Sequence, residues 1–516
     1  MIKKVLISTA AILACANLAF TSEAEAQQYG GSVTMGMYGD LYTPDLHRTL
    51  GNPTAQFGGL VAESLVTYSK TCDIVPSLAK SWDVGPGAKS YTFHLRKGVK
   101  FHNGKELTAE IVKANMDHFK AKETKSPRRK TYKSVKKIEV IDKYTLKLSL
   151  KKGDYGFLVK IRPTLFFITH PDSFEAKPPH PIGTGPFKFV EWKPKQYAKV
   201  TKFGNYWKKA PNGDKLPYID NVTLRPIPDA TVRYTALRAG DVDWVWALPP
   251  EVVPNLLKKA PKGLQTSIRS GARWFYVNMN NIAGPTKDIK VRRALAYALN
   301  KQELMDAITW GLSKAGVQPY YPGSTWNHPG VKEPYPQDLA KSRALLKEAG
   351  YPDGVTVNAI VPNQSILLNL ATVVQAQLKK VGIKVNIKSM DKSAHHKRRI
   401  KQKFDISIGH LAYAPDPAST YDRFFYSKAK FNFGKYINKD FDKLLDKARG
   451  ITDHKARKAE YRKVLAVLHR DVPIAFLGYL PIAQASRSRL QGMKTNCRGD
   501  IIANDKGGIS KAWIQK

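Results

Sequence analysis

VTVNAIVPNQSILLNLATVVQAQLKKVGIKVNIKSM, Val355 to Met390, is the stretch that decides the fold. Val355, Val357 and Ala359 alternate with Thr356 and Asn358, and Ile383, Val385 and Ile387 alternate with Lys384 and Asn386, so each end is a strand with one apolar face. Between them ILLNLATVVQAQLKKVG carries apolar residues at helical spacing and stops at Gly382. Strand, helix and strand in this order predict a parallel pair joined by a crossover. Downstream, FDISI alternates Phe404, Ile406 and Ile408 with Asp405 and Ser407, and is expected to join the same sheet. It runs into GHLAYAPDPASTYDRFF, Gly409 to Phe425, a loop of prolines and aromatics at the strand end where α/β sheets gather ligands.

Working outward, 516 residues exceed what one core supports and suggest two to four domains, and 42% hydrophobic content is that of a globular chain. MIKK is a basic start, Val5 to Phe20 an uncharged apolar run, and Ala24-Glu25-Ala26 a small-x-small cleavage site. Residues 1–26 therefore read as a signal peptide for secretion to the periplasm, because the apolar run falls short of the ~20 residues that span a bilayer. Lipidation at Cys15, after Ile12-Leu13-Ala14, is the minor alternative. Export leaves Cys72 and Cys497, whose pairing stays open because sequence cannot set their separation.

Lys and Arg number 84 against 42 Asp and Glu, a formal charge of +42. Nucleic-acid or polyanion binding is the alternative function this raises. The basic residues are spread along the chain, with denser runs at Lys120 to Lys137 and Lys388 to Lys403, and neither run interleaves the stacking aromatics of a single-strand groove. The expectation is solvated surface charge, suited to an anionic surrounding, with no nucleic acid as partner.

SVTMGM reads as a first strand, Leu60 to Trp82 as a helix and a turn-rich segment, and VKKIEVIDKYTLKLSLKK as a hairpin about Asp142-Lys143. Thr108 is placed to cap the helix AEIVKANMDHFKA. RWFYVNMN is a strand, DIKVRRALAYALNKQELMDAI one helix, and DLAKSRALLKEAG another. GTGPF at Gly183 to Phe187 lacks the Gly-Lys-Ser/Thr of a phosphate loop and reads as a turn. His94 and His102, placed on one hairpin, lack a third ligand, and His395-His396 inside a basic run read as solvated. With no GxSxG, HExxH or Cys/His pair, the chain is expected to be no enzyme and to hold no metal or cofactor.

Several segments in order carry a more specific likeness. LVTYSKTCDIVPSLAKSWDV, YTFHLRKGVKFHNGKELTAEIVKANMDHF, PIGTGPFKFVEW, LPYIDNVTLRPIPDATVRYTALRAGDVD, FYVNMNNIAGPTKDIKVRRALAYALNKQEL and KSRALLKEAGY together resemble the extracytoplasmic solute-binding proteins of family 5, the peptide, nickel and opine receptors of ABC importers. The resemblance implies an α/β, two-lobed periplasmic-binding-protein-like type II fold with three domains (cluster C type). Domain I would comprise residues 27–62, 187–271 and 489–516, domain II 63–186, and domain III 272–488. It also implies a monomer that captures a small solute (peptide-like, opine, sugar or metal chelate) by hinge closure and delivers it to the permease subunits of an ABC transporter.

In peptide-binding members the segment matching GHLAYAPDP commonly carries Trp at the position of His410, and Asp at the position of Tyr413, where it pairs with the peptide α-ammonium. Both differ here, so the expected ligand is one not held by the usual amino anchor. Asp416, three residues on, is the acid that could substitute or simply shape the turn. Tyr413 and His410 head the expected pocket lining, with Asp416, Trp274, Tyr276, Tyr38 and Tyr479 behind them, each aromatic having core packing as its other reading.

Overall fold

The structure, a computed structural model, describes residues 27–49, 51–69, 71–162, 166–495, 501 and 508–515, leaving aside the side chains of 269–272. The signal peptide, Cys15 and Cys497 lie outside the described residues.

Ten strands form the main sheet: β1 (Ser32–Met37), β2 (Phe187–Lys193), β3 (Tyr197–Lys202), β4 (Asn221–Pro226), β5 (Trp244–Trp246), β6 (Leu264–Met279), β7 (Val355–Pro362), β8 (Ile383–Met390), β9 (Ile406–Ala412) and β10 (Ile474–Arg487). Their spatial order is β8-β7-β9-β6-β10-β5-β1-β4-β3-β2. β7 and β8 are parallel, with Val355 opposite Ile383, and helix Ser365–Lys379 crosses between them. β9 pairs parallel with β7 and antiparallel with β6, so FDISI does enter this sheet.

The long strands β6 and β10 form a ribbon through the middle. They pair in two stretches, Leu264–Arg269 with Ile482–Arg487 and Arg273–Asn278 with Ile474–Leu480, with a register shift between Arg269 and Arg273. One end of the ribbon packs in a core drawn from residues 275–477, around Phe275, Val277, Leu295, Leu370 and Ile408. Beyond the other end, on the far side of β5, lies a core drawn from 33–62, 187–244 and 490–514, with Met35, Phe57, Val222 and Trp244 at its centre. A third core, within 65–168, is built on a separate antiparallel sheet in the order Ala79–Val84, Ser90–Leu95, Thr145–Leu150, Val135–Asp142, covered by helix Ala109–Lys120. Thr108 caps that helix as expected, its hydroxyl accepting from the Ile111 amide.

Several local expectations are corrected. The helix expected to begin at Leu60 spans Asn52–Val61 instead, and Val66–Tyr68 and Ile74–Pro76 pair as strands, in keeping with their β-branched and aromatic residues. The single helix expected from Asp288 is two, Ile289–Ala298 and Lys301–Thr309, because Asn300 leaves helical geometry and its side chain accepts from Glu303 N, starting a new helix. His94 and His102 are not hairpin partners: His94 lies 2.8 Å from Asp83, and His102 lies 3.0 Å from the Gly185 carbonyl. GTGPF is structural, since a Cβ at Gly183 or Gly185 would sit 1.9 Å from Val61 O or 2.5 Å from Leu60 O.

Candidate functional site

The loop after β9 forms one wall of a cavity of about 780 Å³, within the size range of small-molecule sites. Leu411 to Pro415 and Ala418 to Phe424 line this wall, while Pro127, Arg128, Thr131, Asp154, Gly156, Val159, Lys160 and Arg162 line the opposite one. The two walls come from segments remote in the chain and approach closely: a Cβ at Gly156 would lie 3.5 Å from Asp416 Oδ1.

Tyr413 is in the cavity lining and 4% exposed. Its ring meets Tyr320 and Tyr321 edge-on at 5.7 and 5.3 Å, and its hydroxyl lies 2.9 Å from Ser324 Oγ. Burial raises the Tyr413 hydroxyl well above its usual range, so it stays protonated and neutral. Position 413, where the resemblance implies an acid, is therefore a neutral phenol already engaged with a neighbour.

Asp416 does not stand open to an ammonium. Arg457 grips both of its oxygens, at 2.6 and 3.0 Å, and each side chain is 8% exposed. Oδ1 also accepts from Ala418 N, closing the short turn Pro417–Ser419. Of the two readings of Asp416, the turn-shaping one matches this geometry and the substitute-acid one does not, because the carboxylate is compensated inside its own wall.

His410 sits on β9, with Nε2 3.0 Å from the Arg273 guanidinium and 3.3 Å from Gln364 Oε1. Burial, reinforced by the charge of Arg273, lowers its pKa to about 4, leaving it neutral at neutral pH. Trp274, Tyr276 and Tyr479 are 1%, 2% and 5% exposed and pack in the aromatic cluster that also holds Tyr413. Their packing reading matches this burial, and Tyr276 and Tyr479 make further contacts. A Cβ at Gly409 would lie 2.8 Å from the Tyr276 hydroxyl, so any larger residue there would have to displace that side chain. Tyr479 donates toward the carbonyls of Gln318 and Tyr320, pinning the segment that carries Tyr320 and Tyr321 to Tyr413. Tyr38 lies away from this cluster, stacked on Trp246 at 4.8 Å.

The wall also contains residues that sequence reasoning passed over. Arg423 is exposed, its guanidinium 4.4 Å from the Phe431 ring and 5.3 Å from the Phe424 ring. Asp422 donates no charge freely: Arg449 Nε lies 2.6 Å from it, and burial raises its carboxyl to about 7 against the pull of Arg449. Across the cavity Lys160 pairs with Asp154, Arg128 donates to Leu46 O, and Arg162 donates to Val159 O. Arg128 is only 7% exposed although it belongs to the basic run read as solvated surface. His395 is likewise 5% exposed, with Nε2 3.1 Å from Ser407 Oγ, so its solvated reading is also corrected. Among the described residues no cluster of three or more His, Cys, Asp or Glu is arranged to hold a metal, and no helix is long and apolar enough to cross a membrane. Cys72 is disulfide-bonded; Cys497 lies outside the described residues.

Residues 73–432 match the model of bacterial extracellular solute-binding proteins, family 5 (middle region), so the chain belongs to that family. It is a periplasmic solute-binding protein that captures a small polar or peptide-like solute for delivery to an ABC permease, a transport receptor and not a catalyst. The chain is 30% identical over 453 residues to the glutathione-binding protein GsiB of Pectobacterium atrosepticum, covering 83% of this chain and 85% of that one. It is 29% identical over 480 residues to the heme-binding protein A of Haemophilus influenzae, covering 84% of each. Among solved structures, the periplasmic binding protein DppA of Helicobacter pylori in complex with the peptide STSA superposes with a TM-score of 0.75 at 27% identity, covering 95% of this chain and 99% of that one.

Proposed function

We propose that the cavity between the loop after β9 and the 127–162 wall is the solute site, and that the solute is not anchored through an α-ammonium at position 413. The observation that carries this reading is a cavity of about 780 Å³ walled on one side by the aromatic cluster of Tyr413 and on the other by residues 127–162, with Tyr413 where the resemblance implies an acid. The three cores support a division into domain I (27–62, 187–271, 489–516), domain II (63–186) and domain III (272–488), domains I and II forming one lobe and domain III the other. The β6–β10 ribbon, with its register shift at Arg269 to Arg273, is the proposed hinge. Of the named relatives, one binds glutathione, one heme and one was solved with a peptide, and this site is read as taking a solute of comparable size whose amino end, if it has one, is blocked or unused. Tyr413 lines the site directly; Trp274, Tyr276 and Tyr479 act by holding the lining in place.

The test is native mass spectrometry of protein taken from its host periplasm, followed by thermal shift with the released solute and with the Ala412→Trp variant, which puts an indole into the cavity lining. A true solute at ~100 times its dissociation constant adds about 2.7 kcal/mol of stability to the native chain and none to the variant. Equal stabilisation of both would place the solute elsewhere.

A further inference from the structure

We infer that this cleft selects organic anions, with the Arg423 guanidinium as the group that takes a ligand carboxylate; the inference rests on the cleft being the solute site. Arg423 lies in the cavity lining, and the faces of Phe424 and Phe431 hold its guanidinium. Ring faces orient a guanidinium but accept none of its five N–H donors in the way a carboxylate does, so its edge is left for a ligand. Among the described residues Arg423 forms no ion pair, in contrast to Arg449 and Arg457 behind the same wall, which hold Asp422 and Asp416.

The acids of the lining do not counter it. Asp154 is matched by Lys160 and Asp422 by Arg449. Burial also raises the Asp422 carboxyl to about 7, which leaves part of it uncharged at neutral pH. The opposite wall adds Arg128 and Arg162 to the same cavity. The formal charge of the lining is thus four basic groups against two acids, both of them paired. A cationic ligand would enter against this field, and a zwitterion would find no acid at Tyr413 for its ammonium. A ligand carrying one or more carboxylates, and no ammonium that must be neutralised, meets complementary chemistry at Arg423.

The experiment is thermal shift and calorimetry on the ligand-stripped full-length mature chain with defined probes at millimolar concentration. These are succinate and glutarate, trialanine, N-acetyl-trialanine, trialanine amide, maltotriose and spermidine. Carboxylate-bearing probes are expected to bind, N-acetyl-trialanine at least as tightly as trialanine, and trialanine amide about tenfold more weakly or not at all. Arg423→Gln should erase the discrimination between acid and amide, and Arg423→Lys should restore part of it, with circular dichroism confirming that both are folded. The inference is overturned if the amide, sugar or polyamine binds as well as the acids, if Arg423→Gln leaves the acid-to-amide ratio unchanged, or if no carboxylate probe binds. Loss of carboxylate binding in Ala412→Trp with an unchanged acid-to-amide ratio in Arg423→Gln would overturn the role of Arg423 and keep the cleft, whereas carboxylate binding that survives both variants would overturn the cleft as the place of binding, separating the two readings.

Discussion

The two walls of the cleft are built on opposite principles. The wall after β9 is anchored from behind: Arg457 holds Asp416, Arg449 holds Asp422, and Tyr479 ties down the strip that packs Tyr320 and Tyr321 against Tyr413. The wall across from it rests on two one-turn helices, Arg129–Tyr132 and Phe157–Lys160, and its arginines reach main-chain carbonyls rather than acids. Four-residue helices have little stability of their own and depend on the packing beneath them. The contrast marks the aromatic wall as a platform anchored from behind and the basic wall as a cover that depends on the packing beneath it.

The sharpest way to break this contrast is Asp416→Ala. It leaves Arg457, 8% exposed, without its counter-charge, and we expect a loss of about 3–5 kcal/mol in urea unfolding. A loss under about 1 kcal/mol would show that the ion pair does not anchor the platform.

Next comes acid. The pKa of His410 falls from 6.5 in the unfolded chain to about 4 in the folded one, so the unfolded state binds the proton more readily between those values. Its contribution is complete above pH 6.5 and lost as pH falls through 4, about 3 kcal/mol at most by linkage. His410→Gln should flatten the fall in Tm between pH 7 and pH 4; an unchanged pH profile would contradict a neutral, buried His410.

A smaller effect is expected of Tyr413→Phe, which keeps the ring among Tyr320 and Tyr321 and removes only the hydroxyl next to Ser324. About 1 kcal/mol of stability should go, with solute binding largely kept. The least is expected on the basic wall, where Lys160→Ala removes a part-exposed pair with Asp154 and should cost no more than about 1 kcal/mol by chemical denaturation. A larger loss there than for Tyr413→Phe would reverse the ranking of platform over cover.

Legibility in the sequence followed the range of the interaction. Period-two alternation at Val355 to Met390 and at FDISI reported a sheet whose β-α-β pairing is local, and the structure has it in register. The loop GHLAYAPDP was legible as a segment leaving such a strand, and the structure has it lining a cavity. Its chemistry was not legible: Asp416 reads as a free acid until Arg457, 41 residues on, is brought to it. Tyr320 and Tyr321 carried only a turn-like Pro-Tyr-Tyr-Pro-Gly signal, and Arg423 stood in no basic run at all. Arg128 and His395 stood inside charge runs, where composition predicts solvation, yet both are buried because a single side chain in a run can turn inward while its neighbours stay in water.

What the sequence by itself determined is the family and the α/β architecture, with a tyrosine at position 413 where the resemblance implies an acid. Backbone periodicity and residue identity are local quantities, readable without knowing what folds against them. What only the tertiary structure decided is which charges are spent and which remain. Asp416, Asp422 and Asp154 each find a basic partner, while Arg423 is left on aromatic faces at the cavity. Electrostatic compensation depends on distances of a few ångströms between residues remote in the chain, and those distances exist only once the chain is folded.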